Sequence, residues 1–128
     1  MTVQFESSRG LILITAKLHG PAMIANLVLA LDTGATGTII SQSRLIAAGY
    51  DPAAGIERIQ MTTGSGVEFA PRVLVTCLEA LGLQSRNLPV LAHTLPPNVR
   101  VDGLLGLDFL RGRELRIDFR VGTIELSE

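Results

Sequence analysis

Five consecutive apolar residues, Leu27-Val28-Leu29-Ala30-Leu31, stop at Asp32-Thr33-Gly34, and a second short run, Thr38-Ile39-Ile40, begins after Ala35-Thr36-Gly37. A short apolar run bounded by turn residues reads as a fully buried strand, and Asp, Thr and Gly clustered at its end read as a tight turn held by side-chain to backbone hydrogen bonds. Asp32 then has two readings. It closes the turn, or it is a carboxylate held at the end of a core strand, with small neighbours that leave room for a second chain or a substrate. The tripeptide alone is satisfied by the first reading, so the rest of the chain decides.

The segments on either side repeat the strand-and-turn pattern. Leu11 to Leu18 is rich in apolar and β-branched residues, ends at His19-Gly20-Pro21, and predicts a hairpin with Met23 to Leu31. After the Asp32 turn, Thr38 to Ser41 reads as a short strand. Ser41 or Ser43 is placed to cap a helical turn through Leu45-Ile46-Ala47-Ala48, which Gly49 stops. Ile59 to Phe69 reads as a hairpin with a small, glycine-containing tip, either an ordinary exposed hairpin or a lid over a cleft. Two further strands are expected at Val73–Cys77 and Asn87–Ala92, with Leu81-Gly82 in the turn region between them.

In Val99 to Leu110 an apolar pair followed by glycine, Leu104-Leu105-Gly106, predicts a strand crossing very close to another backbone, because only glycine lacks the Cβ that would block it. Leu107 to Leu110 fits one helical turn. Leu115–Phe119 and Thr123–Leu126 alternate around Val121-Gly122 as a closing hairpin. Asp102 reads as a turn residue, Asp108 as a cap or surface residue of the short helix, and Asp118 as an outward-facing strand residue. About eight strands, with one or two short helices and no fixed-period repeat, make an all-β domain with a closed or sandwich-like core, expected to span 1–128 as a single unit.

Composition removes several classes of function. With 11 basic and 12 acidic residues the net charge is -1, and the arginines are scattered, so nucleic acid is not expected as a ligand. No apolar run is long enough to span a membrane, and the N-terminus lacks the basic and apolar regions of a signal peptide, so a cytoplasmic location is expected. Cys77 lies in an apolar strand-like setting and reads as a core residue. His19, Cys77 and His93 have no metal-ligand spacing, so no metal site and no cofactor are expected. At 47% hydrophobic and 18% charged, the chain is apolar for a monomer of this size, which points to a partner surface.

The order of these features resembles the retropepsin-type aspartic proteases: an apolar strand, Asp32-Thr33-Gly34-Ala35-Thr36, a glycine-tipped hairpin, then Leu104-Leu105-Gly106. The resemblance runs from about Leu11 to Leu126. It is closest to the cellular and bacterial single-domain members, whose C-terminal segment is similar to Asp102–Leu110 followed by Arg116-Ile117-Asp118-Phe119. It implies the closed-barrel-like acid protease fold, the retropepsin half of the pepsin-like fold.

Position by position, Asp32 resembles the catalytic aspartate, and Thr33 the residue whose hydroxyl bonds to the opposite subunit's backbone. Gly34, Ala35 and Thr36 resemble the loop beneath the substrate. Leu104-Leu105-Gly106 resembles the segment packed behind that loop, and Thr62-Thr63-Gly64-Ser65-Gly66 the substrate-covering flap. The chain departs from many viral members where an acid after the Asp-Thr-Gly-Ala motif pairs with an arginine after the second glycine. Thr36-Gly37 and Leu107-Asp108 stand there instead.

Hydrolysis by carboxylates needs one group to take a proton from water and another to donate one to the carbonyl oxygen. The chain has one Asp-Thr-Gly. The resemblance therefore implies a homodimeric endopeptidase in which Asp32 faces Asp32 across a two-fold axis, with an extended peptide between the turns and the flaps. The alternatives are a catalytically silent peptide-binding or dimerisation module of the same fold and, from a different class, a small-ligand β-barrel in which Asp32 binds a cation.

Overall fold

The alternation in Leu13–His19 (β2) and Ile24–Leu31 (β3) turns one face of an antiparallel pair inward. Ile14, Ala16 and Leu18 are buried beside Ala25, Leu27 and Leu29. The computed structural model describes residues 1–55, 57–63 and 66–128, with only the backbone of residues 57, 62 and 63. The remaining elements are β1 (Thr2–Gln4), β4 (Ile39–Ile40), α1 (Gln42–Ala48), β5 (Glu57–Thr63), β6 (Gly66–Ala80), β7 (Leu83–Ala92), β8 (Gly103–Leu105), α2 (Leu107–Leu110), β9 (Glu114–Asp118) and β10 (Thr123–Ser127). No helix among the described residues is long and apolar enough to cross a membrane.

Strands β2, β3, β8, β4, β7 and β6 follow one another in hydrogen-bonded order, and β6 pairs back onto β2, so the sheet closes into a six-stranded barrel. Closure leaves no open edge within the ring. β5 pairs only with β6 and stands outside it as the other arm of a hairpin. A separate sheet, β1-β10-β9, brings both chain ends together and sends Ile124 and Leu126 into the same core as Leu18, Leu45, Val75, Leu105 and Phe109. The fold is the all-β, closed-barrel arrangement with two short helices expected from the sequence.

Several local expectations change. The Leu27–Leu31 run is not buried throughout: Val28 keeps 38% of its surface exposed, because the strand presents alternate residues outward until Leu29 and Ala30. The strand expected at Val73–Cys77 is the second half of one 15-residue strand that starts at Gly66. Pro71 sits inside it opposite Arg58, while pairing to β7 begins only at Arg72. One flank of the proline therefore needs no N–H for a ladder.

Ser41 is the N-cap of α1 in position, yet its side chain makes no capping bond. Thr94 Oγ1 accepts from the Gln42 N–H instead, at 3.4 Å. Gly49 ends the helix at φ 102°, as expected of a left-handed C-cap. Asp102 is more than a turn residue. Its carboxylate accepts from the Val28 N–H at 2.8 Å and from Arg44 Nε at 3.1 Å, tying β3 to α1. Asp118 faces Arg120 at the outer hairpin, and Cys77 is buried.

Candidate active site

The site begins where β3 leaves the barrel. The Asp32 N–H donates to the Leu105 carbonyl at 3.0 Å, so the sheet pairing of β3 with β8 holds the backbone of the acid itself. The turn then closes on that side chain: Asp32 Oδ1 accepts from the Gly34 N–H at 2.8 Å, and the Asp32 carbonyl accepts from the Ala35 N–H at 3.2 Å. The turn-closing role of Asp32 is therefore real. It uses one carboxylate oxygen; Oδ2 has no hydrogen-bond partner among the described residues. A half-buried carboxylate with one oxygen fixed and the other free is oriented and still available.

Behind the turn lies a second layer of bonds. The Leu107 N–H donates to the Ala35 carbonyl at 2.8 Å, and the Gly106 N–H donates to Thr38 Oγ1 at 3.1 Å. Thr38 is fully buried, and its hydroxyl in turn donates to Asp108 Oδ1 at 2.6 Å. Asp108 Oδ2 accepts from the Thr38 N–H at 2.9 Å, and Oδ1 also accepts from the Phe109 N–H. Asp108 is thus neither a surface residue nor merely a helix cap. It binds the first turn of α2 to the far end of the Asp32 loop, a charge-assisted set stronger than neutral bonds. Sequence reading missed this partnership, and the only local signal was an acid placed directly after Gly106-Leu107.

The glycines allow this close approach. A Cβ on Gly103 would lie 1.8 Å from the Ile39 carbonyl oxygen, and one on Gly106 would lie 2.7 Å from the Gly37 carbonyl. Both distances are below anything a real side chain tolerates. Leu104 pairs with Ala30 and with Ile39, and Leu105 is fully buried opposite Leu31. Asp32, Gly34, Ala35, Leu104, Leu105 and Gly106 are therefore brought into one hydrogen-bonded unit.

Thr33 and Thr36 are exposed at its surface, and the Thr33 hydroxyl has no partner among the described residues. Thr62 and Thr63 pair with Val67 and Gly66 at the end of the β5–β6 hairpin. Gly64 and Ser65, expected at its tip, lie outside the described residues.

A cavity of about 390 Å³ opens between the loop and the base of that hairpin, lined by Thr36, Gly37, Ile59, Arg72, Asp108 and Arg111 among others. No cluster of His, Cys, Asp or Glu among the described residues is arranged to hold a metal ion.

Residues 24–112 match the gag-polyprotein putative aspartyl protease family. Among solved structures the chain is similar to a retropepsin-like aspartic protease from Rickettsia conorii, with a TM-score of 0.73 and 16% sequence identity over 99% of this chain and 91% of that one. No curated protein matches the chain.

Proposed function

Because the chain belongs to the gag-polyprotein putative aspartyl protease family, we propose that it is a homodimeric aspartic endopeptidase, its residues 1–128 forming one catalytic domain, with one Asp32 contributed by each subunit. The observation that carries this reading is the Asp32 carboxylate itself, held through Oδ1 by the Gly34 N–H with Oδ2 left open. A single fixed carboxylate is half of the required machinery, and the chain contains one Asp-Thr-Gly.

In the dimer the two Asp32 carboxyls share one proton, since like charges held that close do not both ionise; this is the general behaviour of aspartic-protease dyads. The ionised member takes a proton from water as the water oxygen bonds to the scissile carbonyl carbon. The protonated member gives its proton to the carbonyl oxygen. Collapse of the tetrahedral species breaks the C–N bond: the proton gained from water passes to the leaving amine, and the other carboxylate takes a proton back from a hydroxyl of the tetrahedral species, which leaves as the carboxylic acid and restores the shared proton. Each carboxyl changes role once, and no cofactor is required.

The exposed Thr33 hydroxyl is available to bond the partner's backbone, and Gly34, Ala35 and Thr36 form the floor beneath an extended peptide. Thr62, Thr63 and Gly66, at the end of the β5–β6 hairpin, stand on the covering side of the groove. Leu104, Leu105 and Gly106 hold the loop from behind.

The test is Asp32→Asn, assayed on a peptide library with circular dichroism and sedimentation run in parallel. The variant keeps fold and dimer and loses all cleavage; unchanged hydrolysis would overturn the assignment. A wild-type protein that binds extended peptides and cuts none from acidic to neutral pH is instead a silent binding module.

A further inference from the structure

We infer that the cavity beside the Asp32 loop is a subsite for an acidic side chain of the substrate, read by Arg111. The inference rests on the peptide-binding role proposed above. The cavity has a volume of about 390 Å³ and takes its walls from both parts of that groove: Thr36 and Gly37 from the loop, Ile59 and Arg72 from the base of the hairpin. Pro89 and Leu91 supply apolar surface, and Asp108 and Arg111 complete the wall from α2 and the residue after it.

The charges here are unequal in availability. Among the described residues Asp108 is the one acid in the wall, and its two oxygens already accept three hydrogen bonds, from the Thr38 N–H, the Thr38 hydroxyl and the Phe109 N–H. Arg111 has its backbone tied, its N–H donating to the Leu107 carbonyl at 2.8 Å. Its guanidinium has no hydrogen-bond or ion-pair partner among the described residues. Arg72 also stands in the wall but is already engaged, so the charge left available there is that of Arg111. A planar guanidinium on an anchored backbone suits a carboxylate in a paired, two-bond geometry.

Position sets where the acidic residue falls. Thr36 is four residues from Asp32, and an extended chain covers at most ~3.6 Å per residue, so the near wall lies within roughly 14 Å of the reacting carboxyl. A peptide lying extended along the loop places there a side chain within about four residues of the scissile bond. The apolar floor accommodates the methylenes of Glu better than the shorter Asp.

The experiment compares peptides carrying Glu, Gln or Lys at each of the four positions on either side of the cleavage point. It measures kcat/KM with wild type, Arg111→Ala and Arg111→Lys. It also measures binding of the same peptides to Asp32→Asn with and without Arg111→Ala, using fluorescence anisotropy. At one position Glu is favoured over Gln by about tenfold in wild type. That preference disappears in Arg111→Ala while the Gln peptide is cut as before, returns in part with Arg111→Lys, and weakens with added salt.

Cleavage with no Glu preference at any position, or a preference untouched by Arg111→Ala, overturns the subsite and leaves the protease reading standing. Tighter Arg111-dependent binding of Glu peptides by a chain that cleaves nothing upholds the subsite and removes the protease reading. Absence of both binding and cleavage removes both.

Discussion

The Asp108 carboxylate accepts from the backbone N–H of Thr38 at 2.9 Å and from its hydroxyl at 2.6 Å, across 70 residues of sequence. The same hydroxyl oxygen accepts from the Gly106 N–H at 3.1 Å, so a fully buried threonine links the loop that carries Asp32 to the segment that backs it.

Thr38→Val keeps the shape of the side chain and the backbone N–H bond to Asp108, and removes both bonds of the hydroxyl. The Gly106 N–H is left buried without its acceptor, and Asp108 loses its shortest bond. Leaving a buried donor unsatisfied costs about 1–3 kcal/mol, and loss of a charge-assisted bond adds to that, so a total of roughly 2–4 kcal/mol is expected in urea unfolding. Thr38→Ser, which restores the hydroxyl, recovers most of it. Loss of stability in Val equal to that in Ser would show that the hydroxyl contributes nothing.

Gly103 faces a limit of space and not of backbone angle. A Cβ there would sit 1.8 Å from the Ile39 carbonyl oxygen, which belongs to the strand pair β4–β8 and has nowhere to move. Gly103→Ala therefore forces β8 away from β4 and loosens the Leu105 anchor of the Asp32 N–H; destabilisation of more than about 3 kcal/mol, or failure to fold, is expected. Gly10→Ala meets nothing within 4 Å and serves as the matched control, with an effect within about 0.5 kcal/mol. Thermal melts of the two proteins decide it.

How far these features can be read from sequence depends on how local they are. The apolar pair followed by Gly106 announces a close backbone approach by itself, and the apolar run before Asp32 announces a strand end; the tighter approach at Gly103 is hidden behind Asp102-Gly103, which reads as a turn. The Asp108–Thr38 contact has no such signature, because an acid in a single helical turn looks the same whether it meets solvent or a loop 70 residues away. Pro71 misleads in the opposite direction. It lies between the segments Ile59–Phe69 and Val73–Cys77, which the sequence pattern separates, yet β6 passes through it because pairing to β7 starts one residue later. Tyr50 is a third case. Its hydroxyl donates to the His19 carbonyl and accepts from the Thr76 N–H at 2.9 Å, joining β2 and β6 through a residue that sequence marks only as following a helix stop.

Asp118 gives a pH dependence with a definite sign. The Arg120 side chain, through Nη2 at 2.9 Å and Nε at 3.3 Å, holds the Asp118 carboxyl below its ordinary range, and the Arg120 backbone N–H adds to this at 2.8 Å. A carboxyl lowered on folding contributes stability that is present above its unfolded-state value and is lost as pH falls through the lower, folded value. Arg120 is exposed and Asp118 half-buried at the tip of the β9–β10 hairpin, so the contribution is small and screened by salt. A carbon-detected NMR titration should show Asp118 titrating below a typical aspartate, and Arg120→Ala should bring it upward. No movement in that variant would remove the guanidinium as the cause.

The proposed dyad makes a quantitative prediction from subunit mixing. If each chain hydrolysed peptides alone, an equal mixture of wild type and Asp32→Asn would retain half the wild-type rate. If catalysis needs Asp32 from both subunits across a two-fold axis, only the pairs with two intact chains work. Random assortment leaves about a quarter of the dimers in that form. The two proteins are unfolded together, refolded at equal concentration and assayed at fixed total protein. The rate should then follow the square of the wild-type fraction across a mixing series, because Asn at one side removes either the proton donor or the base and the remaining Asp32 cannot fill both roles. A linear series would place the second catalytic group within the same chain. It would leave Asp32 as one member of a site that the hydrogen bonds around Leu105, Gly106 and Asp108 complete without a partner.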